Sequence, residues 1–266
     1  MVSYHDFAQT ESKGPAELTV CITFLVLTWL SVGMRCWVRA RIIHGFGWDD
    51  ALMALSYTVY ASALIVIVLV YGGGTHIEIA SSAMRWILLD EVFYILTAWV
   101  LKLSLGVFFL RIIIRPWQRY MVYATMVIST LTSLFFFFFI IFMCGNPGDY
   151  LIRYVTGQCA PHDVQLALTY THAGINLVMD WMFAVLPIQI VLQANMKRRA
   201  KILVAFILSL GAVGSICSTV RIRYVAGLVS TSDYLWNATM IAIWSAVECG
   251  AGITAGSLAT LRPLVK

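Results

Sequence analysis

Long apolar runs separated by short polar segments make up most of this 266-residue chain. Seven runs can be recognised, and each approaches or exceeds the ~20 residues that a helix needs to cross the hydrocarbon core of a bilayer. They lie near 16–38, 49–71, 88–113, 120–143, 164–194, 200–222 and 238–260. A backbone inside hydrocarbon must satisfy its own hydrogen bonds, so such runs should be helical. The pattern predicts an all-α fold, a bundle of seven transmembrane helices.

Little chain remains outside these runs. We expect a short N-terminal segment over 1–15, a transmembrane domain over 16–262 and a short tail over 263–266. The composition agrees, because 61% of the residues are hydrophobic and 12% are charged, whereas soluble domains are about 45–50% apolar and about 25% charged. The net charge of +5 lies in short clusters and forms no continuous basic face, which argues against a nucleic-acid partner. The lipid bilayer is the expected surrounding.

The distribution of Lys and Arg predicts the orientation, because cytoplasmic loops carry an excess of both. With the N-terminus outside, the cytoplasmic face receives Arg35, Arg39, Arg41, Arg111, Arg115, Arg119, Lys197, Arg198, Arg199, Lys201, Arg262 and Lys266. The opposite face receives only Lys13, Arg85, Arg153, Arg221 and Arg223. We therefore expect a multi-pass protein of the endoplasmic reticulum or plasma membrane, with the N-terminus outside and the C-terminus in the cytoplasm.

Two features of the outer side follow from this orientation. Cys144 and Cys159 fall in the longest loop, on the side where disulfides form. We predict that they are bridged; the alternative is two free thiols. Asn237-Ala238-Thr239 is an acceptor sequence for N-glycosylation on the same side. Asn237 adjoins the seventh run, where the glycosylation machinery has limited access.

Ionisable residues inside the runs are the most informative ones. A charge near the bilayer centre costs ~2.5–3.5 kcal/mol on insertion scales and usually faces the bundle interior or a water-filled cavity. Lys102, Asp180 and Glu248 lie near the middle of the third, fifth and seventh runs. We expect the three side chains to face one another across the centre of the bundle.

Helical spacing gives these residues polar or small neighbours, because positions three and four apart share one helix face. The four predicted stripes are Glu91, Tyr94, Ala98 and Lys102; Thr169, His172, Asn176 and Asp180; Gly211, Ser215, Ser218 and Arg221; and Ser245, Glu248, Gly252 and Gly256. The last two glycines predict a small-residue contact ridge. The stripes have two interpretations. They form an ion-paired latch that fixes helix register, or they line a pocket for a ligand.

Several short motifs, taken together, resemble the fungal rhodopsin-domain family of seven-helix membrane proteins over nearly the whole chain. They are Gly47-Trp48-Asp49-Asp50, Lys102-Leu103-Ser104, Phe108-Phe109-Leu110-Arg111, Cys144 with Cys159, Asp180, Leu186-Pro187-Ile188, Lys201-Ile202, Gly211, Arg221, Glu248 and Leu261-Arg262-Pro263-Leu264. The chain departs from the family where Ala259 replaces a usual proline. Despite the family name we expect no retinal and no other cofactor or metal, because the seventh run has no lysine for a Schiff base.

The resemblance implies two roles, receptor-like sensing or membrane-embedded work in fungal secondary metabolism. Receptor-like members have a long cytoplasmic tail, and its lack here favours the second role. Our first hypothesis is a pocket for an apolar small molecule with acid–base cyclase or isomerase chemistry. Its catalytic residues would be Asp180, Glu248 and His172, and its ligand-binding residues Lys102, Asn176, Arg221, Glu91 and Tyr94.

The alternative is a G-protein-coupled-receptor-like sensor of an apolar ligand. Its cytosolic partner would bind the basic loops at Arg115, Arg119 and 197–201, which otherwise serve only as positive-inside anchors. A transporter or proton channel, with Lys102, Asp180 and Glu248 as a relay, ranks third because we find no inverted repeat.

Overall fold

The computed structural model describes residues 14–38, 77–113, 115–145, 159–192, 198–225 and 234–260, together with 41, 55, 57, 58, 60, 61 and 65. Its regular elements are the helices α1 (Gly14–Val38), α2 (Ile77–Ile112), α3 (Pro116–Phe142), α4 (His162–Leu192), α5 (Arg198–Val225) and α6 (Tyr234–Thr260). No strand occurs in these parts of the chain. The predicted all-helical class is confirmed.

The six helices coincide with six of the seven apolar runs. The largest difference is at α2, which begins at Ile77, eleven residues before the predicted run, because the polar segment that precedes the run continues the same helix. Most of the second run, 49–71, lies outside the described residues, although 55, 57, 58, 60, 61 and 65 are helical. The seven-span count, the direction of the termini and the domain limits at 15 and 262 stay predictions.

Four of the described helices contain a segment that is long and apolar enough to cross a bilayer. These segments are Pro15–Val38, Ile87–Arg111, Pro116–Phe142 and Asn237–Ala259. Their surfaces agree with a lipid surrounding, since Leu30 of α1 and Leu131 of α3 are each more than 60% exposed. On the opposite face of α3, Ser129 and Ser133 are buried. An apolar exterior with polar residues inside is typical of a membrane protein.

From α2 onward, helices that follow one another along the described chain pack side by side, whereas α1 packs on α6. α2 packs on α3, α3 on α4, α4 on α5 and α5 on α6, while α6 also contacts both α1 and α2. Tyr57 and Tyr60 from the second run donate hydrogen bonds to the α6 carbonyls of Ala246 and Ala242, both at 3.3 Å. α6 is therefore in contact with most of the bundle.

The predicted glycine ridge of α6 forms its contact with α2. A Cβ atom added at Gly252 would lie 2.7 Å from the Leu101 side chain, and one at Gly256 would lie 2.9 Å from Leu105. Neither distance leaves room for a methyl group unless the leucine moves. The two glycines thus bring the backbone of α6 close enough to α2 for their polar side chains to meet.

The predicted disulfide between Cys144 and Cys159 is confirmed. It joins the end of α3 to the residues just before α4, where the Ala160 amide also donates to the Met143 carbonyl at 2.9 Å. The bridge closes the loop between two neighbouring helices.

Two basic residues that we counted toward the charge of the membrane faces are buried in the bundle. Arg35 is 1% exposed and donates to the Gly256 carbonyl oxygen at 3.2 Å and to Ser104 Oγ at 3.5 Å. Arg221 is 5% exposed. Each guanidinium finds acceptors on other helices and needs no contact with water, so neither residue is a loop charge; the side of the membrane on which each lies stays a prediction.

Candidate functional site

Lys102 and Asp180 form a short ion pair between α2 and α4. Lys102 Nζ lies 2.9 Å from Asp180 Oδ1 and donates to Asn176 Oδ1 at 2.6 Å. Ser218 of α5 donates to the other carboxylate oxygen, Oδ2, at 2.7 Å. Both oxygens of Asp180 therefore accept from close donors, and the lysine has two acceptors. Such complete pairing is what makes a buried charge tolerable.

Arg221 and Glu248 form a looser pair between α5 and α6. Arg221 Nε lies 3.7 Å from Glu248 Oε2, and Nη1 donates to Ser245 Oγ at 3.4 Å. The guanidinium carbon lies 4.6 Å from the centre of the Tyr94 ring, a cation–π contact. The other carboxylate oxygen, Glu248 Oε1, accepts from the Tyr94 hydroxyl at 3.1 Å.

Asn176 joins the two pairs. Its carbonyl oxygen accepts from Lys102, while its Nδ2 donates to Glu248 Oε1 at 3.0 Å. Longer contacts of 3.4 Å run from Nδ2 to the Tyr94 hydroxyl and to Asp180 Oδ2. One amide side chain thus contacts both a cation and an anion of different pairs. We call the connected set the ionic network; its members are Tyr94, Lys102, Asn176, Asp180, Ser218, Arg221, Ser245 and Glu248.

The predicted convergence of Lys102, Asp180 and Glu248 is present. All four stripes meet here, because the network takes at least one side chain from each of α2, α4, α5 and α6. Four of the five side chains predicted to bind ligand, namely Tyr94, Lys102, Asn176 and Arg221, belong to the network. The fifth, Glu91, lies on α2 three residues before Tyr94, outside the network. Their roles in binding or catalysis stay predictions.

His172 occupies a different setting from the one its predicted role requires. Its ring stacks on Phe136 of α3, with centroids 4.3 Å apart and planes 3° from parallel. Within the described part of the chain no hydrogen bond joins it to Asp180 or Glu248. The geometry fits an aromatic contact between α3 and α4, and a proton relay through His172 would require the ring to move.

Sequence reasoning missed the buried role of Arg35. The signal was present, because this arginine lies inside the first apolar run, between Met34 and Cys36, whereas Arg39 and Arg41 follow it. Its hydrogen bonds to α6 and α2 form a second polar contact among the helices that carry Tyr94 and Glu248. Ser218 and Ser245 were on the predicted stripes, but their partners could not be assigned from spacing.

A bundle of apolar-surfaced helices with ion pairs at its centre is the structure of an integral membrane protein. The chain belongs to the fungal rhodopsin domain family, whose model matches residues 34–266.

A relative from Arthrobotrys oligospora, named Receptor GIN3, is 23% identical over 264 residues. The match covers 94% of this chain and 62% of the relative, so the chain spans less than two thirds of that protein's length. No solved structure matches the chain.

Proposed function

We propose that the chain is a receptor-like membrane sensor in which an apolar ligand shifts the balance of the ionic network between two helix arrangements. One observation carries the proposal: the side chain of Asn176 hydrogen-bonds to a member of each of the two ion pairs, which together lie on four helices. A ligand that alters one pair therefore changes the partners of the other. A network of discrete contacts between packed helices is the kind of element that can have two stable arrangements.

The name of the relative supports the proposal of a receptor-like sensor, since Receptor GIN3 aligns with 94% of this chain. The balance of charges also supports it. Two cations and two anions neutralise one another in the network, so the resting bundle needs no bound ion. Under this proposal, the basic residues beside α3 and α5, Arg115, Arg119 and 197–201, contact a cytosolic partner.

The test measures the distance between spin labels on cysteines placed at Trp117 of α3 and Ile188 of α4, both exposed and both near the predicted cytoplasmic end. We expect one distance distribution in the wild type. Lys102→Met should add a second population, because Asp180 then loses its cation. Arg223→Gln removes an exposed charge on α5 and is the matched control, which should leave the distribution unchanged.

Ligand response is measured with the same label pair after adding the hexane extract of a fungal culture to protein in nanodiscs. The wild type should move toward the distribution of Lys102→Met. Identical distributions for the wild type, the variant and the extract-treated protein would contradict a sensor.

A second candidate function is acid–base catalysis on an apolar intermediate of secondary metabolism. The observation that favours it concerns one carboxylate oxygen of Glu248. Glu248 Oε2 lies 3.7 Å from Arg221 Nε and has no hydrogen-bond partner among the described residues, so a lone pair is available to accept a proton from a bound molecule. Asp180 fits this role less well, because both its oxygens already accept hydrogen bonds. Glu248→Gln and Asp180→Asn, assayed for conversion of a pathway intermediate in microsomes, test the candidate; full turnover in both variants would exclude it.

A further inference from the structure

Arg221 is the member of the ionic network whose hydrogen-bonding capacity is least used. A guanidinium carries five N–H donors, yet the described residues provide one hydrogen bond, from Nη1 to Ser245 at 3.4 Å. Nε and Nη2 are buried and without a hydrogen-bond partner in the described chain. The side chain is 5% exposed. A buried donor left unmade costs about 1–3 kcal/mol, so these nitrogens require an explanation.

The contacts of Arg221 fix its position and leave one edge of the group unused. The Tyr94 ring lies against the face of the guanidinium, 4.6 Å from its carbon. Glu248 lies on the Nε side at 3.7 Å and Ser245 on the Nη1 side. Nη2 is therefore held in place by contacts to the rest of the group while its own N–H bonds have no acceptor among the described residues. A group fixed in this way can bind an acceptor without a large entropy loss.

The charges around Arg221 select a neutral acceptor. Lys102 and Arg221 are balanced by Asp180 and Glu248, so the network as a whole carries no net charge. A carboxylate or phosphate ligand would add negative charge beside these groups, at a cost that is large where water is excluded. A carbonyl or ether oxygen accepts from Nη2 without that cost.

We propose that Arg221 is the docking point for a neutral oxygen, of the ketone, ester or lactone class, on an otherwise apolar ligand. This inference rests on the proposed function and names the ligand chemistry of the same site. The ligand oxygen accepts from Nη2, and its apolar part contacts the aromatic and aliphatic side chains around Tyr94. Binding draws the guanidinium toward the ligand and lengthens its loose contact to Glu248. Because Asn176 donates to Glu248, this change also alters the hydrogen bonds of Asn176.

The experiment uses three photoreactive probes with the same C14 chain and the same diazirine: a methyl ketone, a carboxylate and an alkane. Each is crosslinked to the full chain in nanodiscs, with and without excess unlabelled compound, and the labelled peptides are identified by mass spectrometry. The ketone should label α2, α5 or α6 close to the network. It should do so about tenfold more than either other probe, since a hydrogen bond to a charged group is worth about that factor.

Arg221→Gln should lower ketone labelling about tenfold, and Arg223→Gln, two residues along the same helix and exposed, should leave it unchanged. The wild-type labelling pattern provides a test that no folding defect can obscure. Equal labelling by the three probes overturns the inference, as does labelling confined to lipid-facing surfaces or labelling that excess ketone does not reduce.

The two proposals fail separately. Specific ketone labelling without any change in the spin-label distances leaves the docking point standing and contradicts the sensor. A distance change that is the same in Arg221→Gln as in the wild type supports the sensor and overturns the docking point.

Discussion

The two ion pairs of the ionic network differ in how completely their polar atoms are paired. Lys102 and Asp180 approach to 2.9 Å, and Ser218 and Asn176 provide further hydrogen bonds. Arg221 and Glu248 approach only to 3.7 Å, and each keeps an atom without a hydrogen-bond partner among the described residues. The same bundle therefore contains one saturated pair and one unsaturated pair. The first is suited to holding helices together, and the second to interacting with something else.

Removing the cation of the saturated pair should have the largest effect. Lys102→Met leaves the Asp180 carboxylate buried without its counter-charge, so we expect the free energy of unfolding to fall by about 3–5 kcal/mol. Reversible unfolding in mixed detergent–SDS micelles measures it. Lys102→Met/Asp180→Leu should recover most of the loss, because no unpaired charge remains. A single variant as stable as the wild type would mean that the pair contributes nothing to the fold.

Separating α2 from α6 should come next, because Tyr94 of α2 donates to Glu248 of α6 and so joins the two helices within the network. A methyl group at Gly252 would lie 2.7 Å from Leu101, so we expect Gly252→Ala to lower the free energy of unfolding by about 1–3 kcal/mol. Gly211→Ala is the matched control, since its added Cβ meets nothing within 4 Å. The control should be neutral or stabilising by about 0.5–1 kcal/mol, because alanine favours a helix over glycine. Equal free energies of unfolding for Gly252→Ala and Gly211→Ala would show that the close contact between α6 and α2 does not matter for stability.

Removing the cation of the unsaturated pair should cost less than removing Lys102. We expect Arg221→Gln to lower the free energy of unfolding by about 1–2 kcal/mol. The lost contact to Glu248 is long, at 3.7 Å, and Glu248 keeps its hydrogen bonds from Tyr94 and Asn176. The variant also no longer buries unpaired guanidinium donors. The same micelle titration ranks it against Lys102→Met. A loss equal to that of Lys102→Met would show that the two pairs do not differ as their contacts indicate.

Coupling between the pairs should be the smallest effect and the most specific. A double-mutant cycle of Lys102→Met and Arg221→Gln should give an interaction energy of about 0.5–1 kcal/mol, as found for members of one network. The same cycle in an Asn176→Ala background should give a smaller interaction energy, because Asn176 hydrogen-bonds to a member of each pair. An unchanged interaction energy would place the coupling elsewhere.

Periodicity predicted which side chains belong to the site, but it did not predict how they pair with one another. The intervals of Tyr94 and Lys102 on one helix, and of Asn176 and Asp180 on another, showed correctly which side chains share a face. Which cation pairs with which anion depends on helix rotation and depth, and spacing within one helix has no information on either. For that reason Lys102 could not be assigned to Asp180 in preference to Glu248.

Residues near the ends of apolar runs were the hardest to place from sequence. Arg35 and Arg221 were both counted toward the charge of a membrane face, although Arg221 was also placed on an inward-facing stripe, and both are buried. A charged residue at a helix end can extend toward water or fold back onto acceptors of a neighbouring helix. The choice depends on the Gly256 carbonyl in one case and on Tyr94, Ser245 and Glu248 in the other.

The sequence alone determined the helical class, the apolar exterior, the disulfide between Cys144 and Cys159 and the side chains that form the ionic network, because each depends on composition or on spacing along one segment. The tertiary structure decided how the charges pair, which pair is saturated and which donors of Arg221 lack an acceptor within the described chain. Those properties depend on distances between atoms of different helices, and the glycine contacts of α6 with α2 help to set those distances.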